Sequence, residues 1–168
     1  MEPEVAVVWG RPEAGLELPA ILSDLREFSS AHHVEVQLFD AASVVNSDHL
    51  RSAAAHALRS RERKTMRAGS LPMEILLYAS GRRQIRDAMA ILGLSERTRM
   101  MAAVLVGPEA ASRAPLLLKA LHFAPLSEKD AAGGASALER LGVPVKGAEP
   151  GQLMDLALEQ VALLDIER

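Results

Sequence analysis

Arg82 and Arg83 stand side by side, with Arg86 one helical turn on, after a Ser80-Gly81 break in the stretch "LLYASGRRQI" at residues 77–86. Guanidinium groups hold phosphate or carboxylate oxygens with parallel N–H donors, and the spacing of the following residues predicts that these arginines open a helix. The first turn of a helix already carries partial positive charge and free amide N–H groups, so cations there are disfavoured unless they meet an anion. Gly81 leaves room for a phosphate, Ser80 reads as a cap or turn former, and Leu77, Tyr78 and Ile85 offer an apolar floor beside the charge. A second basic cluster, Arg59, Arg61, Arg63 and Lys64, with Arg67 after it, lies one apolar segment upstream, and that segment could fold the two clusters side by side. Two plainer readings stand next to the anion: a solvated charged face, or pairing of these arginines with Asp87 or Glu74.

Other chemistry finds no residues to carry it. Neither G-x-x-x-x-G-K-[ST] nor G-x-G-x-x-G occurs, so no phosphate loop is present. Ser80 sits in "YASGR" and lacks the flanking glycines of a strained nucleophile elbow. There are no cysteines, and the histidines at 32, 33, 49, 56 and 122 have no metal-ligand spacing with one another or with an acid. His49 and His56 share a helix face and read as packing or surface groups. The acids are scattered, with no pair placed as general acid and base. No catalytic residue, metal or cofactor is assigned.

The elements that must position the arginines follow from pattern. A chain of 168 residues, 49% hydrophobic and 24% charged, has enough apolar material for one folded domain, spanning 1–168. The N-terminus lacks a basic-then-apolar leader and no run approaches the roughly 18 apolar residues of a membrane span, which predicts a cytoplasmic protein without membrane contact. Net charge is −3, yet Arg51 to Arg99 holds eleven Lys/Arg against four Asp/Glu, so a +7 middle sits in a chain whose remainder is −10.

Strands are predicted at 4–9, at 34–39 with one buried face, and at 100–107. A short last strand is predicted at 143–145. Helices are predicted from the Leu18–Phe28 stripe, ended by His32-His33; from a cap at Asn46 or Ser47 through Leu50, Ala54, Ala57 and Leu58; and at 112–122. Residues 59–67 read as a helix end and an exposed loop. "SLPMEILLYAS" suits either a strand or a buried helix, and Pro72 near its start favours helix. The next helix places Ile85, Ala88, Met89 and Leu92 on its inner face, with Gly93 as C-cap. A loop covers 124–136, where Gly133-Gly134 demands a flexible or tight turn. The closing helix buries Leu153 or Met154, Ala157, Leu158, Val161 and Leu164. The predicted class is α/β, a single compact domain with a small central mixed sheet packed with helices.

The stretch "VQLFDAASVVNSDHLRSAAAHAL", followed by "MEILLYASGRRQIRDAMAILG", resembles the smallest accessory subunit of the KEOPS complex, the family of the PRPK-binding protein. The resemblance rests on "DAASVV", "DHL" with Ala53 and Ala57, Glu74 to Tyr78, Ser80-Gly81 and Arg83-Gln84-Ile85. It implies a non-catalytic subunit for tRNA threonylcarbamoyladenosine synthesis that binds the RIO-like kinase/ATPase of the complex and recruits tRNA by its 3′ CCA end. On that reading Arg82, Arg83, Arg86, Arg59, Arg61, Arg63 and Lys64 meet the nucleic acid, together with Leu77, Tyr78, Ser80, Gly81 and Ile85. Leu153, Leu156, Glu159, Leu163 and Asp165 of the closing helix meet the kinase. The alternative is a protein-binding adaptor of the kinase whose basic patch meets acidic protein surface and no tRNA.

Overall fold

Alternation of Val5, Val7 and Trp9 with Ala6 and Val8 makes the first strand apolar on both faces, which requires cover from two sides. In the computed structural model, which describes residues 3–166, that cover is helical. The elements run β1 (Glu4–Pro12), α1 (Leu18–His32), β2 (Glu35–Asp40), a 3₁₀ turn (Ala41–Ser43), α2 (Ser47–Glu62), α3 (Leu71–Ser80), α4 (Ile85–Leu92), β3 (Met101–Gly107), α5 (Ala110–Ala120), β4 (Phe123–Leu126), α6 (Glu128–Ala131), α7 (Gly134–Arg140) and α8 (Pro150–Ile166). The sheet order is β2-β3-β1-β4. This is the α/β domain with a small central sheet under helices that the sequence predicts. Its three pairings, β1 with β3, β1 with β4 and β2 with β3, are all antiparallel.

One face of the sheet, with Trp9, Phe39, Ala102, Val104 and Val106, packs on the apolar sides of α2 and α3. The other, with Ala6, Val36, Leu38, Ala103 and Leu105, packs on α1 and α5. Each fully buried Leu, Ile or Phe is worth roughly 1.5–3 kcal/mol of transfer free energy, so β3, buried along its whole length, anchors both layers. The Trp9 indole N–H donates to Ser47 Oγ at 3.0 Å and fixes the start of α2 over β1. Asn46 caps α2 as predicted, its side chain accepting the His49 N–H at 3.0 Å. "SLPMEILLYAS" resolves to helix α3, capped by Ser70 with Pro72 in the first turn.

Three expectations change. The predicted loop opens with strand β4, which pairs Phe123–Leu126 with Trp9–Pro12. Pro125 masks the signal, yet on an outer strand its missing N–H breaks no inner ladder. The strand predicted at 143–145 is instead a turn: the Val143 N–H donates to Leu138 O at 2.9 Å, and Val143 and Val145 pack against the α7–α8 cluster. The helix at 112–122 lies two residues earlier, with His122 in a left-handed turn. Gly133 is tight rather than loose, because a Cβ there would stand 2.4 Å from Ala42 O.

Candidate functional site

Helix α3 ends at Gly81, whose left-handed φ of 69° turns the chain out of the helix. Ser80 closes that turn from inside, its Oγ donating to Leu77 O at 3.0 Å and accepting the Arg82 N–H at 3.1 Å. The turn uses residues 81–84, so α4 starts only at Ile85, with Gln84 at its N-cap and no side-chain cap bond. Arg82 and Arg83 therefore lie in the connection and not in the first helical turn, which contains Arg86 and Asp87. The space at Gly81 is not open to a phosphate either. Gln160 of α8 fills it, and a Cβ on residue 81 would stand 2.5 Å from Gln160 Nε2.

The side chains sort by depth. Leu77, Tyr78 and Ser80 are buried and cannot form an outer floor. The reason is that α3 is wedged between the sheet layer, α2, α4 and α8, so nearly all of its circumference is covered. The apolar surface beside the arginines belongs to α4: Ile85 and Met89, one turn apart, are each 39% exposed, while Ala88 and Leu92 face the core. Ile85 and Met89 are the residues that sequence reading misplaces, since the predicted inner stripe contained both. In an eight-residue helix touching the core along one narrow seam, only the Ala88/Leu92 pair fits inside. Arg82 is half-buried and its guanidinium donates to Leu141 O at 3.0 Å, tying the turn to the end of α7. Arg83 is exposed and also engaged within the chain. Arg86 is exposed.

The second basic cluster is elsewhere. His49 in the first turn of α2 bonds Ala79 in the last turn of α3, so the two helices are antiparallel. Arg59, Arg61, Arg63 and Lys64 lie at the far end of that pair. The ten-residue α3, about 15 Å long at 1.5 Å per residue, spaces the clusters apart instead of folding them together. Arg61 pairs with Glu35 at 2.7 Å. Glu74 is turned to the basic loop: its buried carboxylate accepts the N–H groups of Arg67 and Ala68 at 3.0 and 3.1 Å, holding that loop in place.

Helix α8 buries Ala157, Val161 and Leu164, as its spacing predicts. Leu158, expected inside, is exposed, because α8 meets α2, α3 and α7 with a strip only one residue wide per turn. Leu153 and Leu156 are half-buried against Val45 and Leu138. Asp165 is turned to its own chain: Oδ1 accepts the Tyr78 hydroxyl at 2.5 Å and Oδ2 meets His56 Nδ1 at 2.5 Å. The Tyr78 oxygen in turn accepts from Ser60 Oγ at 2.7 Å. Three helices are thus clasped by one carboxylate and one buried phenol. Glu159, Leu163 and Ile166 stay on the outer face, Ile166 76% exposed.

Among the described residues no group of three His, Cys, Asp or Glu side chains is placed to hold a metal ion, and no helix is long and apolar enough to cross a membrane. The family described as kinase binding protein CGI-121 matches residues 19–133. The chain belongs to the CGI-121 family. No curated protein matches it. The CGI-121 match runs from α1 through α6, so it contains the Gly81 turn, both basic clusters and the α2–α3 pair, while β1, α7 and α8 lie outside it.

Proposed function

We propose that this CGI-121 protein is a non-catalytic KEOPS accessory subunit that binds the RIO-like kinase through α8 and takes the 3′ CCA end of tRNA on the Arg83–Met89 turn. The observation that carries the reading is the exposure of Ile85 and Met89 on the helix that follows Arg83 and contains Arg86. An unpaired nucleic-acid end offers phosphates and base faces together, and its binding surface needs cationic and apolar groups within one stride. Arg82 positions the turn through Leu141, and the cluster at 59–64 serves the tRNA body at a distance.

Trimming the terminal CCA from tRNA should weaken binding about tenfold or more, the scale of losing base contacts worth roughly 1–3 kcal/mol each. Arg83→Glu with Arg86→Glu should weaken binding of intact tRNA and flatten its logarithmic salt dependence by about 0.7 for each single-strand phosphate released, with the circular dichroism of the parent fold retained. Equal affinity for trimmed and intact tRNA would defeat this reading and leave the kinase adaptor that meets no tRNA.

For the kinase, the contact is expected on Leu156, Glu159, Leu163 and Ile166, which share one side of α8. Leu153 packs inward and Asp165 is spent on the clasp. Leu163→Glu with Ile166→Glu should abolish co-elution with the kinase while circular dichroism and melting stay as in the parent. Retained co-elution would move the kinase to another face.

A further inference from the structure

The sheet has an unpaired edge segment. β4 covers β1 only at Trp9–Pro12, so Glu4–Val8 have β3 on one side and, among the described residues, no strand on the other. A groove of about 730 Å³ opens there between β1 and the outer side of α2, lined by Pro3, Val5, Arg51, Ala55, Leu58 and Arg59, with Arg61 and Glu62 at its end. The Val5 carbonyl is turned into it, since Arg51 Nη1 donates to that oxygen at 3.3 Å. In an antiparallel ladder the N–H and C=O of one residue point the same way and alternate residues share an edge. Val5 and Val7 therefore present their main-chain groups on the same edge of β1, with Val5 at the groove.

An exposed ladder edge is a template for another strand. We propose that this groove receives an extended acidic peptide segment of a protein partner, added as a strand beside β1. Charge selects the occupant: Arg51 and Arg59 have no acid partner among the described residues, whereas Arg61 is already paired with Glu35. Ala55 and Leu58 supply an apolar wall for alternate side chains of such a strand. Single-stranded nucleic acid fits less well, because no aromatic side chain lines the groove for base stacking and the ladder groups of Val5 and Val7 would go unused. The inference assigns Arg59 to a protein contact, in place of the tRNA body that the rest of its cluster is proposed to meet, and is independent of the tRNA turn.

The probe is a blocked hexapeptide of alternating Glu and Val, titrated to millimolar concentration against the ¹⁵N-labelled full chain. The amides of Val5 and Val7 should shift saturably. Two copies of the peptide, each N-methylated on one of the two alternating sets of amides, separate main-chain pairing from charge: one copy should bind about tenfold more weakly than the other. Arg51→Glu with Arg59→Glu should abolish the shifts with melting unchanged, and a Lys–Val hexapeptide should leave Val5 and Val7 unmoved. Equal binding of both methylated copies and the parent peptide would overturn strand addition. So would unmoved Val5 and Val7 amides, displacement of the peptide by oligothymidylate at lower concentration, or concentration-dependent dimerisation that the Arg51/Arg59 double variant removes.

Discussion

Replacing Glu74 with alanine is expected to lower the free energy of unfolding by about 3 kcal/mol, a large share of the 5–15 kcal/mol typical of a domain. The carboxylate is fully buried and accepts two N–H groups, from Arg67 and from the buried Ala68. Hydrogen bonds to a charged group contribute roughly 1.5–3 kcal/mol each, and removing the acceptor strands its donors and leaves a void. Glu74→Gln keeps an acceptor oxygen and should fall between parent and alanine. Urea unfolding gives the totals, and hydrogen exchange at the Arg67 and Ala68 amides should quicken in both variants. A loss below about 1 kcal/mol would mean that the basic loop holds its own shape.

Acid should destabilise the fold through His49. This ring is buried; its Nδ1 accepts the Val45 N–H at 3.1 Å and its Nε2 donates to Ala79 O at 2.8 Å, a pattern that needs the neutral imidazole. Burial pushes its pKa down to about 4 from the ordinary imidazole value of 6.5. Because the folded value lies below the unfolded one, the unfolded chain binds the proton more readily between them. The contribution is complete above about pH 6.5 and declines toward pH 4, by about 3 kcal/mol over the interval. His49→Gln cannot titrate, so its stability should fall less between pH 7 and 4.5 than the parent's. Parallel curves for the two proteins would assign the acid sensitivity to other groups.

Period and caps made the three longer strands and the α2, α3 and α8 helices readable, since each depends on residues close in sequence. What stayed hidden depends on neighbours far along the chain. β4 is four residues with a proline, and only the open end of β1 makes it a strand. Tyr78 reads as a surface-capable amphipathic residue until Asp165, eighty-seven positions away, meets its hydroxyl. Met89 and Leu158 both fit an inner stripe by spacing, and both lie outside because their helices touch the core along narrower seams than the periodicity allows for. Arg82–Arg83 were legible as a basic turn, but their helix began later than their charge suggested, since Gly81 and Ser80 consume the intervening residues. The distance between the basic clusters could not be read until "SLPMEILLYAS" was known to be the helix α3.

The order β2-β3-β1-β4 also governs how the chain reaches its native state. β1 is the first strand made, yet both of its neighbours, β3 and β4, begin about a hundred residues later. Closing a loop of that length costs entropy before any ladder bond repays it, which slows folding. On the ribosome α1 and the α2–α3 pair can gather early as local helical structure, whereas the sheet has no centre until Met101–Gly107 emerges. Until then Val5 to Trp9 is a free β-prone segment, open to pairing with other nascent chains. Nascent chains halted before residue 100 should therefore be bound by chaperones through this segment, and release should coincide with synthesis of β3.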